Sequence, residues 1–532
     1  MKTDKRMVWR ATAIVIAAGV LGWQWWGRHH AGNADAAAGD AGAPASTAAV
    51  AAGPAKPAPP ASMKLGTQTL KACELRRPHT SATTAAFCAT LPVPENRADP
   101  RSRTIDLKLA VIKSEAPAAD RDLVAYLAGG PGQSAIETYP EIAAALAPLN
   151  KHHDILLLDQ RGTGGSHPLR CPEVEKAMQQ FIDQPFDPER AKTLTAQCLA
   201  EVEKTSDPRF YTTTDAVADL EAVRKALGAP KLDLVGISYG TRLAQQYARA
   251  HPDAVRSIVL DSVVPNPLIL GEEFADDLQA SLKLQAAACE TAPACKRAFG
   301  DWYRTLMDLH AKLKAQPAQR VTFNDPYTFK PVTRTVSADA LAGVVRMFSY
   351  AAETQALLPL AVSEAANGDF APLMGQSQLL TGDLSSAMNG GMQLSVICSE
   401  DAPFLTPRPQ DKDTLLGSEL IDSVEAMCSV WPRGAMPRDF HAPFTSSIPT
   451  LILAGERDPV TPPRYAQAVL KGLTDARVLE VKGMGHSVIG RGCMPKLVGQ
   501  FVYDRKPQEL DAGCLDRVGP IPAFVDFNGA SP

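Results

Sequence analysis

The feature that most constrains this chain is an apolar segment that ends in a serine between two glycines. Residues 231–237 read Lys-Leu-Asp-Leu-Val-Gly-Ile and lead into Ser238, with Gly236 and Gly240 on either side. Residues 241–248 then have the composition of a helix. A serine at such a strand-to-helix turn has a strained backbone, and the glycines remove side chains that would collide. The pattern predicts a nucleophilic serine above a sheet edge, although alone it is also compatible with an ordinary Gly/Ser turn.

Two features predict that negative charge can be stabilised beside this serine. The amide of Tyr239 and the N-terminus of the predicted helix lie next to Ser238 in the chain. A glycine-rich loop, Gly-Gly-Pro-Gly-Gln-Ser over residues 129–134, follows another apolar strand at 122–128. Glycines at that junction let backbone amides approach a ligand closely, as the second donor of an oxyanion hole must. A plain loop is the alternative interpretation.

Apolar strands alternate with helices on both sides of the serine. This order predicts an α/β fold with a mostly parallel central sheet, helices on both faces and an active site at the carboxyl ends of the strands. Residues 266–446 interrupt the pattern with helical segments and no regular strand alternation, which predicts an inserted helical cap. The predicted strands are 104–114, 122–128, 154–158, 231–237, 255–264, 450–454 and 476–481, and one amphipathic helix is predicted at 216–227.

Candidate partners for the serine follow the last two predicted strands. A serine hydroxyl needs a histidine to accept its proton, and the histidine needs a carboxylate that fixes its tautomer. Asp458 follows the strand at 450–454, and His486 lies in Gly-Met-Gly-His after the final strand. Glu456 competes for the role of the acid. Asp458 is preferred because the turn Pro-Val-Thr-Pro after it would hold its side chain in place.

The N-terminus has the composition of an export segment. Lys2, Lys5, Arg6 and Arg10 precede an uncharged run from residue 11 to 26 that ends in tryptophans. This pattern favours a membrane anchor over a cleaved signal peptide, and a buried core helix is disfavoured. The following Ala, Gly and Pro-rich stretch predicts a flexible tether to a folded domain on the periplasmic side of the inner membrane, or a secreted or periplasmic protein if the signal is cleaved.

Ten cysteines in a chain that is predicted to be exported indicate disulfides. No C-x-x-C motif and no histidines at ligand spacing occur, so we expect no metal site. Chain neighbours are the simplest pairing, and several free buried thiols are the alternative. The pairs would be Cys73 with Cys88, Cys171 with Cys198, Cys289 with Cys295, Cys398 with Cys428, and Cys493 with Cys514.

Charge and loop composition argue against several other functions. The 532 residues carry a net charge of -4, so no strong field for nucleic acid is expected. The loop at 159–166 is rich in glycine but lacks the lysine of a phosphate-binding loop, and we expect neither a nucleotide nor another cofactor. Asp159 and Arg161 are expected to pair with each other and brace this loop.

Together these motifs resemble the prolyl and tripeptidyl aminopeptidase family of α/β-hydrolases, with its TAP-like C-terminal region. The matching segments are Gly-Gly-Pro-Gly at 129–132, Asp-Gln-Arg-Gly-Thr-Gly at 159–164, the serine motif at 236–241, Gly-Glu-Arg-Asp-Pro-Val-Thr-Pro at 455–462 and Gly-Met-Gly-His at 483–486. The resemblance implies Ser238 as nucleophile, Asp458 and His486 as its partners, and an oxyanion hole formed by the amides of Tyr239 and Gly130.

The composition and the order of predicted strands and helices indicate a domain organisation. A membrane anchor or signal would occupy residues 1–30 and a linker residues 31–63. The hydrolase core would be divided between 64–265 and 447–532, with the cap at 266–446 between the two parts.

The resemblance further implies release of residues or short peptides from a free N-terminus. An enzyme of this kind must recognise the substrate ammonium, and the segment Val-Ile-Cys-Ser-Glu-Asp at 396–401 resembles a Cys-x-acid motif of the tripeptidyl group. Glu400 and Asp401 are therefore candidate substrate-binding residues, unless they have only a structural role. The alternatives to an exported serine aminopeptidase are an esterase or amide hydrolase for small molecules, and a binding protein with a vestigial site.

Overall fold

The computed structural model describes residues 61–76, 82–115, 122–172, 186–378 and 388–530. The predicted membrane anchor at 1–30 and nearly all of the predicted linker lie outside the described residues. Within the described ranges, no helix combines the length and the apolar character needed to cross a bilayer.

The strands of the described residues are β1 (Ser62–Leu65), β2 (Gln68–Arg76), β3 (Thr83–Pro94), β4 (Thr104–Ile112), β5 (Leu123–Leu127), β6 (Asp154–Leu158), β7 (Leu232–Ile237), β8 (Val255–Asp261), β9 (Gln319–Asn324), β10 (Pro331–Val336), β11 (Thr450–Gly455) and β12 (Ala476–Val481). A ten-stranded mixed sheet with the strand order β1-β2-β3-β4-β6-β5-β7-β8-β11-β12 organises the fold. The strands from β6 to β12 in this order pair in parallel, and β1 to β4 add to the edge of β6 in antiparallel fashion. The prediction of an α/β fold is confirmed.

Helices cover both faces of the sheet. Successive side chains of a strand point to opposite faces, and in β5 Leu123, Ala125 and Leu127 join one hydrophobic cluster while Val124 and Tyr126 join another. Fully buried parallel strands of this kind are continuously apolar, which is why the sequence pattern could predict them.

The helices between and after the strands are bounded by ordinary sequence signals. The helix that precedes β7 begins with a capping box between Thr212 and Asp215 and ends at Gly228, which has φ 67°. The helices are Ala135–Asn150, Pro188–Val202, Thr213–Leu227, Tyr239–Ala250, Phe274–Thr291, Pro293–Phe299, Trp302–Ala315, Ala338–Phe348, Ala352–Gln355, Leu358–Ala366, residues 371–378, Gly390–Glu400, Glu419–Cys428, Pro463–Leu470 and Met494–Asp504, with short 3₁₀ turns at Pro208–Phe210, Pro252–Ala254, Ala402–Phe404, Pro409–Asp413, Pro507–Glu509 and Gly513–Arg517.

The segment predicted to be a cap, residues 266–446 and hereafter called the cap, lies in the chain between β8 and β11. Although these two strands are far apart in sequence, they are neighbours in the sheet, with Thr450 opposite Ile258. The cap has its own hydrophobic cluster, which includes the fully buried Leu278 and Phe348.

Contrary to the expectation, the cap is not wholly helical, because β9 and β10 form an antiparallel hairpin. The alternation of valine and phenylalanine with threonine and arginine around an Asn-Asp-Pro turn was the sequence signal that could have predicted it.

All ten cysteines are joined in the five predicted pairs of chain neighbours. The Cα–Cα distances run from 5.0 to 6.4 Å, within the usual range for disulfides. Disulfides of this number are typical of proteins that fold in an oxidising compartment. The pairs are Cys73–Cys88, Cys171–Cys198, Cys289–Cys295, Cys398–Cys428 and Cys493–Cys514.

Candidate active site

Ser238 lies at the junction of β7 and the helix Tyr239–Ala250, hereafter the elbow helix. Its φ of 55° and ψ of -123° are a strained conformation for a residue with a side chain. A Cβ on Gly236 would lie 2.6 Å from the carbonyl oxygen of Gly240, and one on Gly240 would lie 2.1 Å from that of Leu127. The two glycines are thus required by close backbone approach, as expected for a turn that presents a serine.

The acid and the histidine meet as the sequence predicts. His486 Nδ1 lies 2.8 Å from Asp458 Oδ2. Asp458 is buried and also accepts hydrogen bonds from the amides of Val460 and Thr461, at 2.9 and 2.8 Å, and from the Thr461 hydroxyl at 2.7 Å. The turn that follows Asp458 therefore orients the carboxylate toward the histidine. Glu456, the competing acid, instead accepts a hydrogen bond from the amide of Gly483.

The contact between Asp458 and His486 changes the pKa of both groups. Burial by itself would raise the pKa of Asp458, but the charge and the hydrogen bond of His486 hold it below its ordinary value. Burial by itself would lower the pKa of His486, but Asp458 raises it above its ordinary value. Each group thus stabilises the charged form of the other, as a carboxylate that supports an imidazolium should.

Asp261, which the sequence analysis did not single out, holds the loop after His486. Its carboxylate accepts hydrogen bonds from the Ser487 hydroxyl at 2.7 Å and from the amides of Val488 and Ile489 at 3.0 and 3.1 Å. Asp261 is completely buried at the end of β8. A charged residue that closes an apolar strand at the carboxyl edge of the sheet was the signal that could have identified it.

The loop at 129–134 lies beside the serine. A Cβ on Gly129 would lie 3.2 Å from the Cβ of Ser238, so this backbone packs directly against the nucleophile. Asn389 of the cap fixes the loop, because its backbone N–H and its side-chain Nδ2 donate to the carbonyl of Gly132 at 3.0 and 2.9 Å. The structure therefore brings the Gly130 peptide and the start of the elbow helix at Tyr239 to the same side of the sheet. Their role as the oxyanion hole stays a prediction.

Asp159 braces this loop, but not through the partner that the sequence suggested. Its carboxylate lies 2.6 Å from the hydroxyl of Ser134 and accepts from the amide of Gly165 at 2.9 Å. Arg161 points away from it and forms a buried ion pair with Asp219, at 2.6 Å. The predicted pair of Asp159 with Arg161 is therefore wrong, since each of the two is satisfied by a different segment.

The expectation for Glu400 and Asp401 also needs correction, because neither carboxylate reaches an open pocket. Both residues are 0% exposed. Asp401 accepts two hydrogen bonds of 3.0 Å from Arg242 of the elbow helix, and Glu400 accepts from the amide of Thr213 at 2.7 Å. Burial raises the pKa of Glu400 to about 8, although Arg242 opposes this rise. The pair ties the cap to the elbow helix, and its acidic groups are occupied internally.

Cap residues also contact the loops that carry the acid and the histidine. The amide of His486 donates to the carbonyl of Tyr350 at 2.7 Å, and the two rings pack edge to face with centroids 5.3 Å apart. The carbonyl of Arg457, next to the acid, accepts from the hydroxyl of Ser281 at 2.6 Å and from Gln355 Nε2 at 3.4 Å. These contacts depend on tertiary structure, and no sequence motif predicts them.

The described residues contain no cluster of three or more histidine, cysteine or acidic side chains that could hold a metal ion. The structure shows a serine in a strained turn and a histidine hydrogen-bonded to a carboxylate, which are the groups that serine nucleophilic catalysis requires.

Two family models match the chain. Residues 122–298 match the alpha/beta hydrolase fold family, and residues 413–514 match the TAP-like protein family. The first range contains the serine turn, and the second contains Asp458 and His486.

Known proteins resemble most of the chain. A tripeptidyl aminopeptidase of Streptomyces lividans is 27% identical over 473 residues, which cover 82% of this chain and 84% of that protein. The serine protease Hip1 of Mycobacterium tuberculosis (strain ATCC 25618 / H37Rv) is 25% identical over 479 residues, which cover 83% of this chain and 90% of that protein. Among solved structures, the alpha/beta hydrolase MGS-M2 from a deep-sea metagenome library aligns with a TM-score of 0.35 and 14% identity, over 75% of this chain and 94% of that one.

Proposed function

Because this chain is a serine hydrolase with the α/β-hydrolase fold and a TAP-like C-terminal region, we propose that it is an exported exopeptidase that releases N-terminal residues or short peptides. The observation that carries the proposal is the length of the resemblance to relatives named tripeptidyl aminopeptidase and serine protease Hip1. It covers more than four fifths of the chain, and the fold and the contact between Asp458 and His486 agree with it.

In the proposed mechanism the Ser238 hydroxyl attacks the scissile carbonyl while His486 accepts its proton. Asp458 holds the imidazole in the tautomer that accepts this proton and stabilises the imidazolium that forms. The amides of Tyr239 and Gly130 would stabilise the oxyanion. His486 then donates the proton to the leaving amine, and an acyl group stays on Ser238 until water hydrolyses it.

Export is supported by the five disulfides, which are typical of an extracellular or periplasmic environment. The basic and apolar N-terminal segment agrees with this location. We propose that residues 1–30 anchor the protein or direct its export, that 31–63 form a linker, and that the cap at 266–446 covers a catalytic core built from 64–265 and 447–532.

One observation keeps a second candidate function open. The acidic residues that the sequence suggested for recognition of the substrate ammonium, Glu400 and Asp401, have buried partners inside the protein. An esterase or amide hydrolase for small molecules needs no such recognition and would use the same catalytic residues.

Hydrolysis by the purified full-length protein tests the proposal. Chromogenic di- and tripeptide amides with free N-termini would be compared with their N-acetylated forms and with short-chain esters. Ser238→Ala is the blank, and its thermal unfolding midpoint shows that the fold is retained. Cleavage that requires the free amine supports the exopeptidase. Indifference to acetylation together with a preference for esters would contradict it and support the second candidate.

A further inference from the structure

Arg346, on the cap helix Ala338–Phe348, is a cation without a carboxylate partner in the described part of the chain. Its Nη2 lies 3.4 Å from the Tyr350 hydroxyl, and its guanidinium lies 4.9 Å from the centroid of the Phe274 ring. Among the described residues its buried Nε has no hydrogen-bond partner. Glu353 on the neighbouring helix is already paired with Arg491. A partly buried guanidinium in this situation favours an anion supplied from outside the protein.

Tyr350 connects this cation to the catalytic histidine. The Tyr350 ring packs against the ring of His486, its carbonyl accepts the His486 amide, and its hydroxyl faces Arg346. The positive charge of Arg346 also lowers the pKa of His486, in opposition to Asp458. The Arg346 guanidinium therefore lies on the histidine side of the site.

The histidine side of a serine hydrolase site faces the leaving group, because the histidine delivers the proton to it. We propose that Arg346 binds a terminal carboxylate on the leaving portion of the substrate. The favoured substrates are then short peptides in which a free C-terminus lies close to the scissile bond. This inference rests on the proposed function only in its use of the Ser238 and His486 site.

The test compares two pairs of substrates that differ only in a carboxylate. One pair is a short peptide with a free C-terminus and the same peptide with a C-terminal amide. The other pair is the acetate esters of 4-hydroxybenzoic acid and of 4-hydroxybenzamide. For each pair the measured quantity is the ratio of kcat/KM for the acid to that for the amide. The ratio cancels any general loss of activity in a variant.

A charge-assisted hydrogen bond to the carboxylate should make the ratio about tenfold higher in the wild type than in Arg346→Met. Methionine keeps an unbranched side chain against Phe274 but has no charge. Arg346→Lys should keep part of the preference because it keeps the charge. Arg304→Met is the matched control, since Arg304 is 79% exposed and pairs with Asp308 on its own helix. Its ratio should equal that of the wild type.

Equal ratios in the wild type and Arg346→Met would overturn the inference, as would a wild-type preference for the amides. The proposed function can fail separately. If only the esters are cleaved and their ratio depends on Arg346, the peptidase function is wrong and the anion site stands. If peptides are cleaved without a dependence on Arg346, the peptidase function stands and the anion site is wrong.

Discussion

Replacement of Glu400 by glutamine should make the protein more stable at neutral and alkaline pH. Glu400, Asp401 and Arg242 form a buried cluster of two acids and one base, in which Asp401 makes the close pair with the guanidinium. One negative charge suffices to neutralise Arg242, so Glu400 is most stable as the neutral acid. Glutamine can replace that neutral acid beside Thr213, whose hydroxyl lies 2.9 Å from the carboxyl group.

The magnitude follows from the pKa of Glu400. Burial raises this pKa from 4.5 to about 8 in the folded protein. Between these two values the folded protein keeps a proton that the unfolded chain has released, so the wild-type free energy of unfolding falls as the pH rises. Each pH unit costs about 1.4 kcal/mol, which gives about 5 kcal/mol over the whole window and no further loss above pH 8. Glu400→Gln lacks this contribution.

Urea unfolding of the oxidised protein at several values between pH 5 and pH 9 measures the effect. The curves of free energy against pH should diverge for the wild type and Glu400→Gln, with most of the separation reached by pH 8. Glu203→Gln, at an exposed helix end, is the matched control and should run parallel to the wild type. If Glu400→Gln also runs parallel to the wild type, the buried cluster does not contain a protonated Glu400 and the argument is wrong.

Three further predictions concern the histidine and its loop. Since Asp458 raises the pKa of His486 and catalysis needs the neutral imidazole, kcat/KM should fall as the pH drops through a midpoint above 6.5. Asp458→Asn should move that midpoint down and lower kcat by about 10⁴, and an unchanged midpoint would show that the carboxylate does not act on His486. Asp261→Ala removes three accepted hydrogen bonds, so it should lower the free energy of unfolding in urea by about 3 kcal/mol or more and should also lower kcat. A variant with wild-type stability and full activity would contradict the positioning role of Asp261. Reduction of Cys493–Cys514, which begins seven residues after His486, should lower activity below the reductant concentration that unfolds the protein; activity that persists up to unfolding would refute this.

The sequence predicted those parts of the site whose positions depend on the chain order of strands. Ser238, Asp458 and His486 each follow a mainly apolar strand that pairs in parallel with its neighbour, and the carboxyl ends of parallel strands meet at one edge of a sheet. The structure places the acid and the histidine in contact there. Local sequence signals were enough to predict these positions, because parallel pairing of the strands places the loops that follow them side by side.

Pairing between side chains could not be predicted in the same way. Arg242 and Asp401 are 159 positions apart, and nothing local shows that the carboxylate points into the protein rather than into a pocket. Proximity in sequence was equally misleading for Asp159 and Arg161, which have separate partners. The choice of partner depends on which elements pack together, and that information is tertiary.

The N-terminal strands β1 to β3 were not predicted, for a different reason. They contain many alanine, threonine and lysine residues, and most of their side chains are exposed or half buried, so they lack a regular apolar period. Backbone pairing along the sheet edge and the Cys73–Cys88 disulfide stabilise them instead.

The order of the disulfides along the chain matters for biogenesis. The five pairs close loops of 15, 27, 6, 30 and 21 residues, and no pair encloses or interleaves with another. A chain that enters an oxidising compartment with its amino end first can therefore close each bridge as soon as the second cysteine arrives. Simple vectorial oxidation then yields the native connectivity, whereas interleaved pairs would require an isomerase to correct early mispairing.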